Sequence, residues 1–389
     1  MIERKIASEM TSSSQRAILG SIAASIAFVM ELTLVPLLLP AIHSQFELSI
    51  SQIAWVFNSY GIAVAFGVLF GGWLGDRFGI RRLFGVGVVL FALGAVAVAS
   101  AGSLETIIVG RVIQGFGGGV FSPLVPLLLT RALPHRPGKV LIIWGSVTGY
   151  VAAFAPLVFS HGVNEFGWQL AFGVFALISV VALLTVAKSN AGDATQAVDA
   201  PPKYRRLFQS RELWLIFVYV FCTYGAITFY LFRLPLWLAE NDYKVVSIGF
   251  ILFAIWFSFS IVSTLLRNLV DSPRVRGILL IAPLLIAAGF PVATLSGGML
   301  TFAFSALLVG TGLACSNAPS TQMILKFAPI GMSAVSTSLD ITFARLGGVA
   351  TVAVLAQMPF EKSILAILVM SLVAVLCALG CVRKPKHIF

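Results

Sequence analysis

Apolar runs long enough to cross a bilayer recur along the whole chain, interrupted by short polar breaks. A hydrocarbon core takes about 20 apolar residues per helix. On that measure the pattern predicts spans at 17 to 42, 52 to 74, 83 to 101, 105 to 130, 139 to 161, 167 to 187, 213 to 236, 246 to 268, 277 to 296, 299 to 323, 332 to 357 and 362 to 382. The expected fold is an all-α membrane protein with twelve transmembrane helices. The longest polar stretch, 188 to 212, contains Gly192, Pro201 and Pro202 and separates six spans from six. It reads as an interdomain linker between a six-helix bundle at 1 to 187 and a second at 213 to 389.

Composition agrees with the pattern: 59% of residues are hydrophobic and 11% charged, too apolar for a water-soluble domain of 389 residues. A net charge of +11 would fit nucleic acid binding in a soluble protein, so the location of the basic residues decides its meaning. They gather in alternate loops, with Arg77, Arg81 and Arg82 after the second span, Arg131, Arg136 and Lys139 after the fourth, and Arg274 and Arg276 after the eighth. The intervening loops carry Glu47, Glu105, Glu165, Glu240 with Asp242, and Glu361. By the positive-inside rule both termini and the linker face the cytoplasm of a bacterial inner membrane. The expected partners are the lipid bilayer and a small molecule, with no nucleic acid, and the expected state is a monomer.

Cys222, Cys315, Cys377 and Cys381 fall within apolar runs, which implies no disulfide framework. The first apolar run begins after Arg16 and is too long for a cleavable signal peptide. His43, His135, His161 and His387 lie near loops or termini, and no metal-binding pair or activated nucleophile stands out. An enzyme, a metal and a bound cofactor are not expected; a proton gradient is the expected driving force.

The two halves echo each other. Gly72-Trp-Leu-Gly-Asp76-Arg77-Phe-Gly79-Ile-Arg81-Arg82 corresponds to Arg267-Asn-Leu-Val-Asp271-Ser-Pro-Arg274-Val-Arg276, with Asp76 and Asp271 separated by 271 − 76 = 195 residues. Parallel repeats of this kind build many secondary transporters. The first of these loops resembles a signature of the major facilitator superfamily. Arg111-Val-Ile-Gln114-Gly115 resembles its second signature, and Met30-Glu31-Leu-Thr33 to Pro40 resembles the first-helix acidic motif of its drug:proton antiporter branch. The resemblance implies two pseudo-symmetric six-helix bundles and a gating role for Gly72, Asp76, Arg77, Gly79, Arg81 and Asp271. One departure concerns the direction of transport: the antiporter motif places Gly-Pro and paired glycines in the fifth span, whereas Gly145 and Gly149 here lead only to Ala155-Pro156.

Charges inside spans are the candidate functional residues, because each costs about 2.5 to 3.5 kcal/mol at a helix centre. Five stand out: Glu31, Arg111, Arg233, Asp340 and Arg345. A plain structural reading pairs them between helices, and Arg233 is close enough to a span end to snorkel. The functional reading makes Glu31 and Asp340 proton carriers and Arg111, Gln114, Arg345, Arg233, Tyr60, Asn58 and Asn317 substrate-binding residues. Desolvation favours the acid form of Glu31 and a nearby arginine favours the carboxylate, the balance a proton carrier needs. Five residues apart, Asp340 and Arg345 are turned about 140° from each other on a helix, so they are expected to meet different neighbours. The glycines around Gly117 lack the strand, turn and helix context of a nucleotide loop.

The leading functional expectation is a proton-coupled secondary transporter of a small organic molecule, anionic or zwitterionic, working by alternating access with export favoured. Uptake of an anionic metabolite or carboxylate siderophore is the alternative within transport. A non-transporting membrane sensor or scaffold is the alternative outside it.

Overall fold

The computed structural model describes residues 12–187, 207, 209–267, 269, 275–295, 298–329 and 332–382, apart from a few side chains within helices. Twelve of its helices are long and apolar enough to cross a membrane. They are α1 (Ser12–Gln45), α2 (Ile50–Phe78), α3 (Ile80–Ala99), α4 (Leu104–Ala132), α5 (Pro137–Phe166), α6 (Gln169–Ala187), α7 (Arg211–Glu240), α8 (Val245–Leu266), α9 (Val275–Ala293), α10 (Met299–Phe327), α11 (Ser333–Leu355) and α12 (Phe360–Val382). Helices α1, α2, α4, α5, α7 and α10 outrun the apolar segments by several residues, since the backbone keeps its hydrogen bonds internal into the interface.

Contacts within the first six helices recur in the second six when six is added to each number. Helix α4 packs against α2 and α3, and α10 packs against α8 and α9. Likewise α1 meets α5 and α6 while α7 meets α11 and α12. Across the halves α2 packs on α11 and α8 on α5, two contacts that the same operation exchanges. The arrangement is two pseudo-symmetric six-helix bundles meeting on a shared central face.

Glycines set the close approaches that place the site. A Cβ at Gly115 would run into the backbone of Tyr60, one at Gly119 into Val64, and one at Gly117 into Phe91. Helix α4 is therefore thinned on two faces and lies pressed between α2 and α3, as small residues allow in lipid. It breaks at a 3-10 turn, Ser122–Leu124, where Pro123 cannot donate to the helical ladder.

The loop of the first signature lies at the end of the bundle that carries the first helix start and the α6 end. Gly79 joins α2 to α3 at a φ of 87°, which side chains disfavour and glycine does not. Arg81 donates from Nη2 to the Ala187 carbonyl at 2.6 Å, tying this loop to the end of α6. Gly72, Asp76 and Arg77 belong to α2, but their side chains lie outside the described residues, as do Asp271 and the linker from 188 to 206.

Candidate functional site

A cavity of about 590 Å³ lies between the halves, lined by α1, α2, α4, α5, α7, α8, α10 and α11. Its lining reaches from mid-helix residues to Pro126, Trp144, Thr321 and Thr337, which are nearer the end carrying Ser12 and Ala187. At the opposite end the halves are closed on each other. Gln357 Nε2 donates to Ser51 Oγ at 2.5 Å, Asn58 Nδ2 donates to the Val349 carbonyl at 3.1 Å, and the rings of Phe57 and Phe232 are 5.5 Å apart. Gly249 of α8 lets Ser160 of α5 approach too closely for any larger residue.

Glu31 and Arg111, 80 residues apart in sequence, form a buried ion pair in the cavity wall, each 1% exposed. Arg111 Nη1 is 2.5 Å from Glu31 Oε1 and donates to Gln114 Oε1 at 3.1 Å, while its Nε donates to the Val56 carbonyl at 3.2 Å. The guanidinium also sits 4.3 Å from the centre of the Tyr60 ring, within cation–π range. Such a pair is costly to desolvate and is held by its extra hydrogen bonds. The second Glu31 oxygen and the Tyr60 hydroxyl are buried and make no hydrogen bond of ordinary geometry to a described residue.

Across the cavity, α11 supplies Asp340 and Arg345. Asp340 Oδ2 accepts from Thr321 Oγ1 at 2.9 Å, and Asn317 Oδ1 accepts from the Tyr224 hydroxyl at 2.7 Å. Asp340 and Arg345 both line this one cavity, contrary to their expected separation, because the space is wide enough to cover a broad arc of α11 and an arginine side chain is long. They are not within 4.0 Å of each other as an ion pair.

Two of the expected substrate-binding residues stand elsewhere. Arg233 is clamped by Glu240 two turns along α7, through Nη1 at 2.9 Å and Nη2 at 3.1 Å, and is not part of the cavity lining. Gln114 is fully buried behind Arg111 and supports it rather than facing the cavity. Glu31, Asn58, Tyr60, Arg111, Asn317, Asp340 and Arg345 do come together around the cavity. Sequence reading did not single out Thr321, which anchors Asp340, or Trp256, which lines the cavity with a buried indole N–H that has no partner among the described residues. Position gave no signal for either, since hydroxyls and indoles are common in spans.

Comparison with known proteins gives a consistent answer. The chain is 35% identical over 167 residues to the tetracenomycin C resistance and export protein of Streptomyces glaucescens, covering 41% of this chain and 31% of that one. It is 33% identical over 173 residues to the arabinose-proton symporter of Escherichia coli K12, covering 43% and 36%. The aligned stretch thus spans about a third of the length of these curated relatives. Its fold matches a D-xylose-proton symporter with a TM-score of 0.76 at 17% identity, over 96% of this chain and 97% of that one. It also matches the nucleoside transporter NupG with a TM-score of 0.78 at 14% identity, over 95% and 100%. The model of the Major Facilitator Superfamily matches residues 20–352, and the chain is a multi-pass membrane protein that belongs to that superfamily.

Proposed function

We propose that the chain is a proton-coupled secondary transporter that carries a small anionic or zwitterionic organic molecule. The observation that carries this reading is the buried ion pair of Glu31 and Arg111 in the wall of a cavity built by both halves. In this reading Glu31 is the acid that carries the coupled proton, and Arg111 is the partner it leaves and rejoins during the cycle. Asp340, with no cation within ion-pair distance among the described residues, is the second acid of the coupling machinery, and Arg345 is the anchor for an anionic group.

Alternating access is supported by the two main cross-half contacts, α2 with α11 and α5 with α8, about which one half can rock on the other. The units that rock are 1 to 187 and 213 to 389, joined by the linker from 188 to 212. Gly72, Asp76, Arg77, Gly79, Arg81 and Asp271 are proposed to clamp the end that holds both basic loops when the opposite end opens. With the termini in the cytoplasm, the conformation described here is open inward. The proposed direction is export, supported by the first-helix motif and by export proteins among the relatives. Uptake of an anionic metabolite would use the same parts in reverse, and the symporters among the matches support that second reading. A non-transporting scaffold is disfavoured because a buried ion pair is costly to retain without a use.

Purified protein in liposomes tests the proposal with a panel of labelled aromatic acids, amino acids and antibiotics. A pH gradient should drive uphill movement of at least one of them, and a protonophore should stop it. Flux indifferent to both the gradient and the protonophore contradicts proton coupling.

A further inference from the structure

Of the five charges deep in the spans, three are compensated by protein: Glu31 and Arg111 neutralise each other, and Arg233 is held by Glu240. Asp340 and Arg345 are left over. Asp340 is 7% exposed and receives only the Thr321 hydroxyl, with no cation within ion-pair distance among the described residues. Arg345 makes no ion pair or hydrogen bond to a described residue, yet it lines the same cavity. Tyr224, whose hydroxyl is bonded to Asn317, lines the same cavity as both charges. The remaining wall is mostly apolar and includes the rings of Phe28, Phe57, Phe121, Trp144, Trp256 and Phe259.

We infer that this cavity takes an aromatic zwitterion, a small molecule whose carboxylate pairs with Arg345, whose protonated amine pairs with Asp340 and whose ring lies on the aromatic wall. The inference rests on the transport reading and specifies its substrate. Two opposite charges that do not reach each other are each poorly compensated in an apolar cavity, and only a ligand carrying both partners satisfies the two at once. A lipophilic cation would pair with Asp340 and leave Arg345 unmatched. A simple anion would leave Asp340 unmatched, and an uncharged sugar would leave both. Five residues of helix separate the two Cα atoms by about 7.5 Å along the axis, which suits a molecule whose amine and carboxylate are a few bonds apart. The cavity volume of about 590 Å³ leaves room for a ring system.

Proton and amine then compete for one carboxylate. The groups facing Asp340 are Arg345 on its own helix, Thr321 and Asn317 on α10 and Tyr224 on α7, with Glu31, Arg111 and Tyr60 across the cavity. None of them supplies a second free acid for the amine, because Glu31 is already committed to Arg111. Acidic medium therefore weakens zwitterion binding by protonating Asp340.

Three ligands of one skeleton test this by calorimetry on the purified full chain: tryptophan, tryptamine and indole-3-propionate, which carry both charges, the amine alone and the acid alone. Tryptophan should bind at least tenfold more tightly than either of the others and should weaken at acidic pH. Arg345→Gln should reduce tryptophan to the level of tryptamine, Arg345→Lys should restore most of the preference, and Asp340→Asn should remove both the preference over indole-3-propionate and the pH dependence. Equal or tighter binding of tryptamine, or no tryptophan binding at millimolar concentration, overturns the inference. Proton-driven flux of some other compound in the same preparation would then show that the transport reading survives. Charge-matched tryptophan binding with flux blind to a pH gradient would sink proton coupling and leave the zwitterion site standing.

Discussion

Arg111 is held 2.5 Å from Glu31 while its guanidinium lies over the Tyr60 ring, so one side chain of α4 binds α1 and α2 together at the wall of the cavity. Removing one partner leaves an uncompensated charge in an apolar site. Arg111→Ala should therefore cost about 3 to 5 kcal/mol of stability. Adding Glu31→Gln to it should recover much of that loss, because the orphaned carboxylate is gone. Thermal unfolding in detergent reads both, and a double variant no more stable than Arg111→Ala would contradict a charge-driven effect.

Arg233 offers a contrast. Its partner Glu240 is 42% exposed, so Arg233→Ala should cost only about 1 kcal/mol and leave ligand affinity within twofold. A tenfold loss of affinity for an anionic ligand would return Arg233 to the substrate site.

Glycine substitutions separate packing from open space. Gly117→Ala would drive a methyl group into the α3 backbone and should cost about 1 to 3 kcal/mol, whereas Gly145→Ala meets nothing within 4 Å and should be neutral. Melting temperatures of the two variants provide the comparison; an equal drop would argue against the tight seam of α3 and α4.

Closure of the end opposite Ser12 and Val382 depends on contacts of α2 with α11 and with the turn after it, among them Ser51 with Gln357. Cysteines placed at these two positions should react with a short bifunctional thiol reagent and arrest transport, because the outward opening requires them to separate. Full transport after complete cross-linking would exclude rocking about this contact.

Orientation is tested at two exposed glycines with open surroundings, Gly102 between α3 and α4 and Gly138 in the first turn of α5. In intact cells an impermeant maleimide should label Gly102→Cys and spare Gly138→Cys. The reverse pattern would invert the topology predicted from the basic loops.

The twelve spans and the two-half organisation were legible because hydropathy and loop charge are local properties, each read within about 20 residues. Which charges meet was not, since the partners Glu31 and Arg111 are 80 residues apart and only the packing of α1 on the second and fourth helices brings them together. Arg233 illustrates an intermediate case: Glu240 lies seven residues on, two helical turns along the same face, and the geometry of a helix already allowed that pairing. Once Arg233 is withdrawn, the cavity holds two arginines and two acids, so its preference turns on which of these charges are left unpaired. Gln114 lies three residues from Arg111 and bonds to it, but helix α4 turns that residue into the protein behind the arginine.

The central claim is that Glu31 carries the coupled proton. Glu31→Gln in liposomes measures it most directly, by comparing accumulation driven by a pH gradient with exchange of labelled for unlabelled substrate at equal pH. The account predicts that accumulation is lost while exchange persists. Accumulation at the wild-type level in that variant would contradict it and move the proton to Asp340.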